Sequence, residues 1–358
     1  MSPADIYLVR VLAPDEENVN TAPGVTIVIP AYNVSAYIRQ AVESALGQTA
    51  ADLEVLVVDD GSTDATLGQL AGIADPRLKI ARQPHSGPAK ARNRGVRLAR
   101  SSLIGFLDGD DYWLPHKLER HLDVMVAHPE THLTFSLCRA IDPSGSDYGL
   151  PFPGTREIIT SEDFLGGNIV RTTSSVVARK DALIEAGLFD PRFSPCEDYE
   201  LWIRLSRLRS ANIRCIPEVL TVYRRRSGQL TADWRSVERA WTRIIDQMCK
   251  GPDAAARNAE PRARSRMCAC LAVFAYQNRE FREALRLLWL AFRFHPQEAV
   301  PDCRNWLVAA ACASGEILPG RLHRKLERLC VQCARSVFAD GSAQFIPDSR
   351  AQQARLEP

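Results

Sequence analysis

The sequence predicts an α/β fold, with a mostly parallel sheet flanked by helices and an α-helical region at the C-terminal end. Short apolar segments alternate with helix-like segments over residues 25–107, and this alternation is typical of βαβ units. Acidic and polar residues directly follow several of the apolar segments. From about Val237 onward, apolar residues recur at helical spacing without further strands.

The predicted strands and helices follow one another in regular order. Strands are predicted at 25–29, 53–58, 78–80 and 103–107, and helices at 35–47, 63–74 and 88–99. Ser35 is the expected N-cap of the first helix. Right-handed crossovers place the C-terminal ends of these strands on one edge of the sheet, where open α/β sheets bind ligands. We therefore expect the functional site at that edge.

The remaining parts of the chain are predicted to be helical or flexible. We expect flexible tails at 1–24 and 341–358, an α/β domain at 25–235 and a helical region at 236–340. Within the helical region, 251–264 is predicted as a charged connector, and 271–296 resembles one helix-turn-helix unit of a tetratricopeptide repeat. No second copy follows, so we predict a helical hairpin in a small bundle that covers the α/β domain. Docking of a protein partner there is left open.

Composition limits the classes of partner and location. The 358 residues include 45 basic and 43 acidic side chains, and such a balance argues against nucleic acid as the main partner. We expect no secretory signal and no spanning helix, and ten scattered cysteines favour reduced thiols in the cytoplasm. The apolar and basic segment 285–294 leaves peripheral contact with the inner face of the membrane open, although burial in a bundle is favoured.

Three carboxylates crowd the end of the fourth predicted strand. Asp108, Asp110 and Asp111 repel one another, so a fold that gathers them needs a compensating cation. Because alternate residues of a strand share a face, Asp108 and Asp110 can address one divalent metal, whereas Asp111 is assigned a structural role. Asp60 follows the second strand and can accept hydrogen bonds from a nucleobase and a ribose. Arg92 lies early in a helix that faces the same edge, where a cation suits a nucleotide.

A second acidic pair occurs far downstream. Glu197 and Asp198 precede a segment in which Leu201 and Leu205 recur at helical spacing, so both carboxylates stand at a helix N-terminus. They could simply offset the helix dipole. Alternatively, one of them could act as a general base.

The ordered motifs at 30–33, 57–64, 87–95 and 108–111 resemble the nucleotide-sugar-binding half of family 2 glycosyltransferases, which have the GT-A fold. The resemblance runs from about 25 to 231, and implies a nucleotide-sugar half at 25–115 and an acceptor half at 116–235. It implies that Asp198 is the general base, that Glu197 contacts the acceptor or supports the base, and that the transfer inverts the anomeric centre. The implied donor-binding residues are Pro30, Tyr32, Asn33, Asp60, Arg92 and Asp108, and the implied metal ligands are Asp108 and Asp110.

The chain also departs from the family pattern. Where many relatives carry a histidine near the metal or the diphosphate, this chain has Arg225 and Arg226. Arginine cannot ligate a metal but can clamp phosphates through two parallel hydrogen bonds, so the metal requirement is less certain. The Gln-x-x-Arg-Trp motif of processive synthases is absent, which favours the transfer of a single sugar.

The function predicted from the sequence is an inverting, metal-assisted glycosyltransferase. We expect a nucleoside diphosphate sugar donor, with uridine as the favoured base, Mn²⁺ or Mg²⁺ as the cofactor, and a glycan or lipid-linked acceptor in cell-surface polysaccharide assembly. A sugar-nucleotide nucleotidyltransferase would need a glycine-rich basic loop after the first strand, which residues 30–33 do not provide. A transferase-like module without activity, which docks partners through its C-terminal helices, is the other alternative.

Overall fold

The computed structural model describes residues 23–146, 156–164, 167–209, 211–226, 229–230, 233–250 and 254–317. The predicted tail at 341–358, and residues 1–22 of the first tail, lie outside this part. The strands are β1 (Val25–Ala31), β2 (Leu53–Asp59), β3 (Leu78–Arg82), β4 (Leu103–Phe106), β5 (Tyr112–Trp113), β6 (Leu133–Ile141), β7 (Ile158–Ile159), β8 (Val176–Arg179) and β9 (Ile213–Arg224). The helices are α1 (Ile38–Leu46), α2 (Pro88–Leu98), α3 (Lys117–Ala127), α4 (Ser161–Phe164), α5 (Lys180–Glu185), α6 (Glu197–Ser206), α7 (Trp234–Cys249), α8 (Ala254–Gln277), α9 (Phe281–Phe294), α10 (Pro296–Ala299) and α11 (Cys303–Ile317).

Within the described residues, the nine strands form one mixed sheet in the order β3-β2-β1-β4-β8-β6-β9-β5, and β7 pairs with β9. The first four strands are parallel, as predicted. The second half departs from a mostly parallel sheet, because β8 runs antiparallel to both β4 and β6 and β9 runs antiparallel to β5 and β7. The C-terminal ends of β1, β2 and β4 therefore share an edge, and the end of β9 comes close to it.

Helix α2 lies unusually close to the sheet because of one glycine. A Cβ added at Gly95 would stand 2.2 Å from Cγ1 of Val28 on β1, so no larger residue fits there without movement. The side chain of Asn93 forms two hydrogen bonds with the backbone of Phe189. Its Nδ2 donates to the carbonyl (2.7 Å) and its Oδ1 accepts from the amide (2.9 Å). These contacts fix α2 between β1 and the segment that leads into α6.

Two predictions about the first βα units are wrong. The helix expected at 63–74 is reduced to a single 3₁₀ turn at Gly68–Leu70, and α1 begins at Ile38 without a side-chain cap from Ser35. Instead, the amide of Ser35 donates to the Asp64 carboxylate, which also binds the hydroxyl and the amide of Thr66. Polar side chains that bind nearby backbone compete with helix formation in this way.

The C-terminal helices share their core with the α/β domain. Trp241 of α7 meets Tyr199 of α6 edge to face, with ring centroids 5.6 Å apart. A single cluster of buried side chains runs from the sheet through α7 into α8 and α9. The predicted helical hairpin at 271–296 is confirmed, but the connector predicted at 251–264 is wrong, because α8 runs through it with Pro261 inside the helix.

The segment 285–294, for which burial in a bundle is predicted and membrane contact is left open, lies in helix α9. Its buried side chains are Ala284, Leu287, Leu288 and Ala291, which confirms burial in a bundle for this face. Trp289 on the opposite face is 61% exposed. Among the described helices, none combines the length and the apolar character that a membrane span requires.

Candidate active site

The Asp60 carboxylate, which follows β2, organises a nearby turn. It accepts hydrogen bonds from the amides of Ser86 (3.0 Å) and Gly87 (2.8 Å) and from Nε2 of Gln83 (2.6 Å). His85 Nδ1 lies 2.9 Å from its Oδ2, and the Asp60 side chain is almost fully buried. Asp60 therefore holds the turn at 83–87 in place, and its role in binding a base stays a prediction.

An aromatic pair stands next to this turn. The rings of Tyr32 and His85 are stacked, with centroids 3.9 Å apart and an angle of 22° between their planes. Tyr32 is 41% exposed, so the pair offers a flat surface at the end of β1. Stacking surfaces of this kind suit a nucleobase, because every base has a π face.

The other two predicted donor-binding residues near the end of β1 contact neighbouring parts of the protein. Pro30 lies in β1 opposite Val58 of β2. Asn33 has a positive φ of 51°, and its Oδ1 accepts from the amides of Thr63 (2.9 Å) and Asp64 (3.3 Å). Asn33 thus ties the loop after β1 to the loop after β2. Contacts of Pro30 and Asn33 with a donor stay predictions.

The three carboxylates after β4 lie in different environments. Asp111 is fully buried, accepts from the Ser174 hydroxyl (2.6 Å) and from the Arg224 amide (2.8 Å), and has a pKa well above its usual value because of burial and its two acidic neighbours. This confirms its structural role. The Asp108 and Asp110 side chains remain partly accessible, at 24% and 11%.

Arg92 joins the two predicted acidic sites. Its Nη2 donates to Oδ1 of Asp108 (2.7 Å) and its Nη1 donates to Oε1 of Glu197 (2.9 Å), although these residues are far apart in sequence. The guanidinium is buried and lies 5.5 Å from the centre of the Phe189 ring. Burial alone would lower the pKa of Arg92, but Asp108 and Glu197 more than offset this, and it ends above its ordinary value.

Asp198, the predicted general base, has a raised pKa. It stands in the first turn of α6, partly exposed, and accepts from Asn168 Nδ2 (3.1 Å) and from the Tyr199 amide (2.7 Å). Burial and the neighbouring Glu197 raise its pKa to about 6, even though Arg92 acts in the opposite direction. A carboxylate with a pKa near the working pH can take up a proton during a reaction.

Two further arginines approach the carboxylate cluster from β9. Arg226 Nε donates to Oδ2 of Asp110 (2.6 Å), and Arg224 donates from Nε to the Asp110 carbonyl (3.1 Å) and from Nη2 to Gln40 (2.8 Å). The amide of Arg225 donates to the carbonyl of Ile141. The structure thus brings the Arg226 side chain to the acidic cluster, whereas the part of Arg225 in a diphosphate clamp stays a prediction.

The fit of a divalent cation can be judged from these groups. In the part of the chain that the structure describes, no three His, Cys, Asp or Glu side chains are grouped to hold a metal. Asp108 and Asp110 supply an all-oxygen pair, and one or two carboxylates completed by phosphate oxygens and water are the usual Mg²⁺ arrangement. The donor chemistry of these two residues therefore suits a cation that takes its other ligands from a bound phosphate, and their role as metal ligands stays a prediction.

A family model matches the part of the sequence that carries most of these groups. The model of "Glycosyl transferase family 2" matches residues 26–184, which include the Asp60 turn and the carboxylates after β4. Residues 26–184 of this chain thus form a family 2 glycosyltransferase segment. The glycosyltransferase match ends before α6, so Asp198 and Arg226 lie beyond it.

The named relatives of this chain include a much longer protein. A hyaluronan synthase from Pasteurella multocida is 40% identical over 143 residues, which is 39% of this chain but only 15% of that protein. The chain thus matches less than a fifth of that relative's length.

Solved structures share the fold of this chain. S. aureus TarS in complex with UDP-GlcNAc superposes with a TM-score of 0.55 at 16% identity, over 81% of this chain and 92% of that one. A mannosyltransferase from Pyrobaculum calidifontis in complex with GDP-Man and Mn2+ gives a TM-score of 0.53 at 18% identity, over 89% and 88%. These likenesses confirm the GT-A fold expected from the sequence.

Several residues at the site escaped the sequence analysis. Ser174 holds Asp111, Asn168 holds Asp198, and Arg224 ties β9 to the acidic loop. Asn168 stands in a segment without a distinctive pattern, whereas Ser174 lies in a run of four hydroxyl side chains (172–175) whose individual roles the pattern does not separate. Arg224 could have been suspected, since three consecutive arginines at a strand end form an uncommon concentration of charge.

Proposed function

We propose that this glycosyltransferase moves a single sugar from a nucleoside diphosphate donor, with uridine as the base, to a hydroxyl of a glycan or lipid-linked acceptor, and inverts the anomeric centre. Cell-surface polysaccharide assembly is the proposed setting. One observation carries the proposal: Arg92 bonds to Asp108 with one end of its guanidinium and to Glu197, next to Asp198, with the other. Asp108 and Glu197 thus share one guanidinium, and Glu197 directly precedes the candidate base in α6.

In the proposed reaction, Asp198 accepts the proton of the acceptor hydroxyl as its oxygen attacks the anomeric carbon of the donor sugar. The new glycosidic bond forms on the face opposite the diphosphate, and the electron pair of the broken bond stays on the diphosphate oxygen. Such a single displacement inverts the configuration. Arg225 and Arg226 are the proposed clamp for the diphosphate, since arginine binds phosphate in a bidentate manner. A divalent cation at Asp108 and Asp110 would supply Lewis-acid compensation for the departing charge.

The comparisons support the donor class. TarS was solved with UDP-GlcNAc and the Pyrobaculum enzyme with GDP-Man and Mn2+. The stacked surface of Tyr32 and His85 beside Asp60 is where we propose that the base binds. The relative named hyaluronan synthase supports a polysaccharide acceptor.

Calorimetric titration with UDP, GDP, TDP and CDP, each with and without Mn²⁺, tests the donor site. We expect one diphosphate to bind tightly and to bind more tightly with the cation. The matching nucleotide sugars are then assayed for nucleotide release with a panel of oligosaccharide acceptors.

The Asp198→Asn variant tests the base. Transfer should fall on the order of 100- to 10,000-fold, while affinity for the diphosphate stays close to that of the unmodified protein. Asp123→Asn, which alters an exposed carboxylate on α3, is the matched control and should transfer normally. Failure of all four nucleotides to bind, or full transfer by Asp198→Asn, would contradict the proposal.

A further inference from the structure

Both predicted metal ligands already carry an arginine. Asp108 Oδ1 lies 2.7 Å from Arg92 Nη2, and Asp110 Oδ2 lies 2.6 Å from Arg226 Nε. A carboxylate oxygen that accepts a charge-assisted hydrogen bond at this distance has its charge largely compensated. A divalent cation that arrives alone must compete with the guanidinium, and like charges at such short range repel.

The two arginines differ in how firmly they are held. Arg92 is buried within α2, pairs with two carboxylates and lies against the Phe189 ring. Arg226 stands two residues beyond the end of β9, and within the described residues its side chain has one ion-pair partner, Asp110. Its side chain is 24% exposed. Arg226 can therefore leave its carboxylate by a change of side-chain rotamer, whereas Arg92 cannot leave without disturbing the core.

The strand that carries Arg226 is anchored just before it. The Arg224 amide binds Asp111, its Nε binds the Asp110 carbonyl, and its guanidinium lies 4.9 Å from the centre of the Tyr37 ring. The backbone that positions Arg226 is therefore fixed to the same loop that carries Asp108 and Asp110. A diphosphate bound at these carboxylates would lie within reach of the Arg226 side chain.

We propose that Arg226 is a positioning residue that exchanges partners, pairing with Asp110 when the donor site is empty and with the diphosphate when it is filled. This inference rests on the proposed function. The diphosphate offers the guanidinium a bidentate anionic partner, and the exchange frees Asp110 for the divalent cation. Cation and nucleotide consequently bind as a coupled pair, and by linkage each raises the affinity for the other by the same factor.

Binding of Mn²⁺, followed by the electron paramagnetic resonance signal of the free ion, tests the exchange without any need for turnover. In the unmodified protein, the diphosphate that binds should raise Mn²⁺ affinity by roughly 100-fold, near the upper end of usual couplings. Arg226→Gln should bind Mn²⁺ alone about 10-fold more tightly, and the gain from adding the diphosphate should shrink to about 10-fold or less.

Arg225→Gln is the matched control, because it removes the same charge one residue away from the Asp110 pair. If both variants raise affinity for Mn²⁺ alone equally, general electrostatics accounts for the gain and the exchange is refuted. Should Arg226→Gln fail to fold, Arg226→Lys is used, since it keeps the charge but loses the bidentate geometry. It should lower diphosphate affinity in saturating Mn²⁺, and unchanged affinity there also refutes the exchange.

The outcomes separate this inference from the proposed function. Tight diphosphate binding with Mn²⁺ affinity that is the same with and without nucleotide would overturn the exchange and leave the transferase proposal standing. Absence of binding by all the diphosphates, with Mn²⁺ saturating, would overturn the transferase proposal and the exchange with it.

Discussion

Replacing Arg92 by Met tests whether one guanidinium holds the two halves of the site together. The substitution keeps much of the side-chain volume against Phe189 but removes both ion pairs. Glu197, whose side chain is only 5% exposed, and Asp108 would be left without their cation. A buried carboxylate without a partner is strongly unfavourable in a folded protein.

The expected loss follows from that burial. Breaking a buried ion pair by removing one partner costs about 3–5 kcal/mol, and we expect the free energy of unfolding to fall by about that amount. Changing Glu197 to Gln in the same chain removes the orphaned buried charge. The double variant Arg92→Met/Glu197→Gln should therefore be more stable than Arg92→Met alone, with a coupling energy of roughly 1–3 kcal/mol.

Urea unfolding at pH 7, followed by intrinsic fluorescence, measures these differences, and the single variant Glu197→Gln completes the cycle. The same variants carry a second readout in the pH profile of transfer. Because Arg92 lowers the pKa of Asp198 from an even higher value, its loss should move the acid limb of kcat/KM to a higher pH. A loss below about 1 kcal/mol for Arg92→Met, or an acid limb that does not move, would refute the bridge.

Three other changes test the site and its supports. Since the pKa of Asp198 is about 6, the proposed base is protonated below that pH. In a pH–rate profile, kcat/KM should therefore fall about tenfold per pH unit below pH 6. A profile that stays flat down to pH 4 would contradict this. Asp60→Asn replaces an acceptor of backbone amides by a group that also donates. Diphosphate affinity in calorimetry should fall, and the free energy of unfolding should drop by about 1–3 kcal/mol. Unchanged affinity would count against binding of the base beside Asp60. Gly95→Ala forces a methyl group against Val28 and should destabilise the fold by about 1–3 kcal/mol. Gly68→Ala, whose new methyl group would lie 4.0 Å from Cβ of Ala65, should be close to neutral in the same urea titration. Equal effects of the two substitutions would refute the close approach of α2.

The parallel half of the sheet and its acidic edge could be predicted because they depend on local pattern. Residues 53–59 are apolar apart from Glu54 and the terminal Asp59, and all are buried in β2. An apolar run of this kind predicts a strand inside the sheet. The carboxylates at 108–111 follow β4 directly, and strand ends of a parallel sheet meet at one edge. The acidic start of α6 could also be predicted from local pattern, since Glu197 and Asp198 precede apolar residues that recur at helical spacing.

What could not be predicted depends on distant partners. Nothing near Arg92 in sequence indicates that its guanidinium meets Glu197, 105 residues away. The helix expected at 63–74 failed because Asn33, from another loop, captures the amides of Thr63 and Asp64. The segment 251–264 looked like a connector because of its charges and Pro261, but Arg264 pairs with Asp246 and Glu260 and its neighbour Ser265 is buried. Tertiary packing overrides local propensity in such places.

The shared core has a consequence for how this protein can be divided. The buried cluster includes Phe106 and Trp202 near the site, Trp241 of α7 and Leu288 of α9. A truncation after β9 would therefore remove packing partners of α6, the helix that carries Asp198. The matched family segment is therefore not a unit that can be transplanted by itself. A chimera that exchanges acceptor preference must carry α7 to α9 along with α6, or the imported base will arrive on a helix without its packing partner.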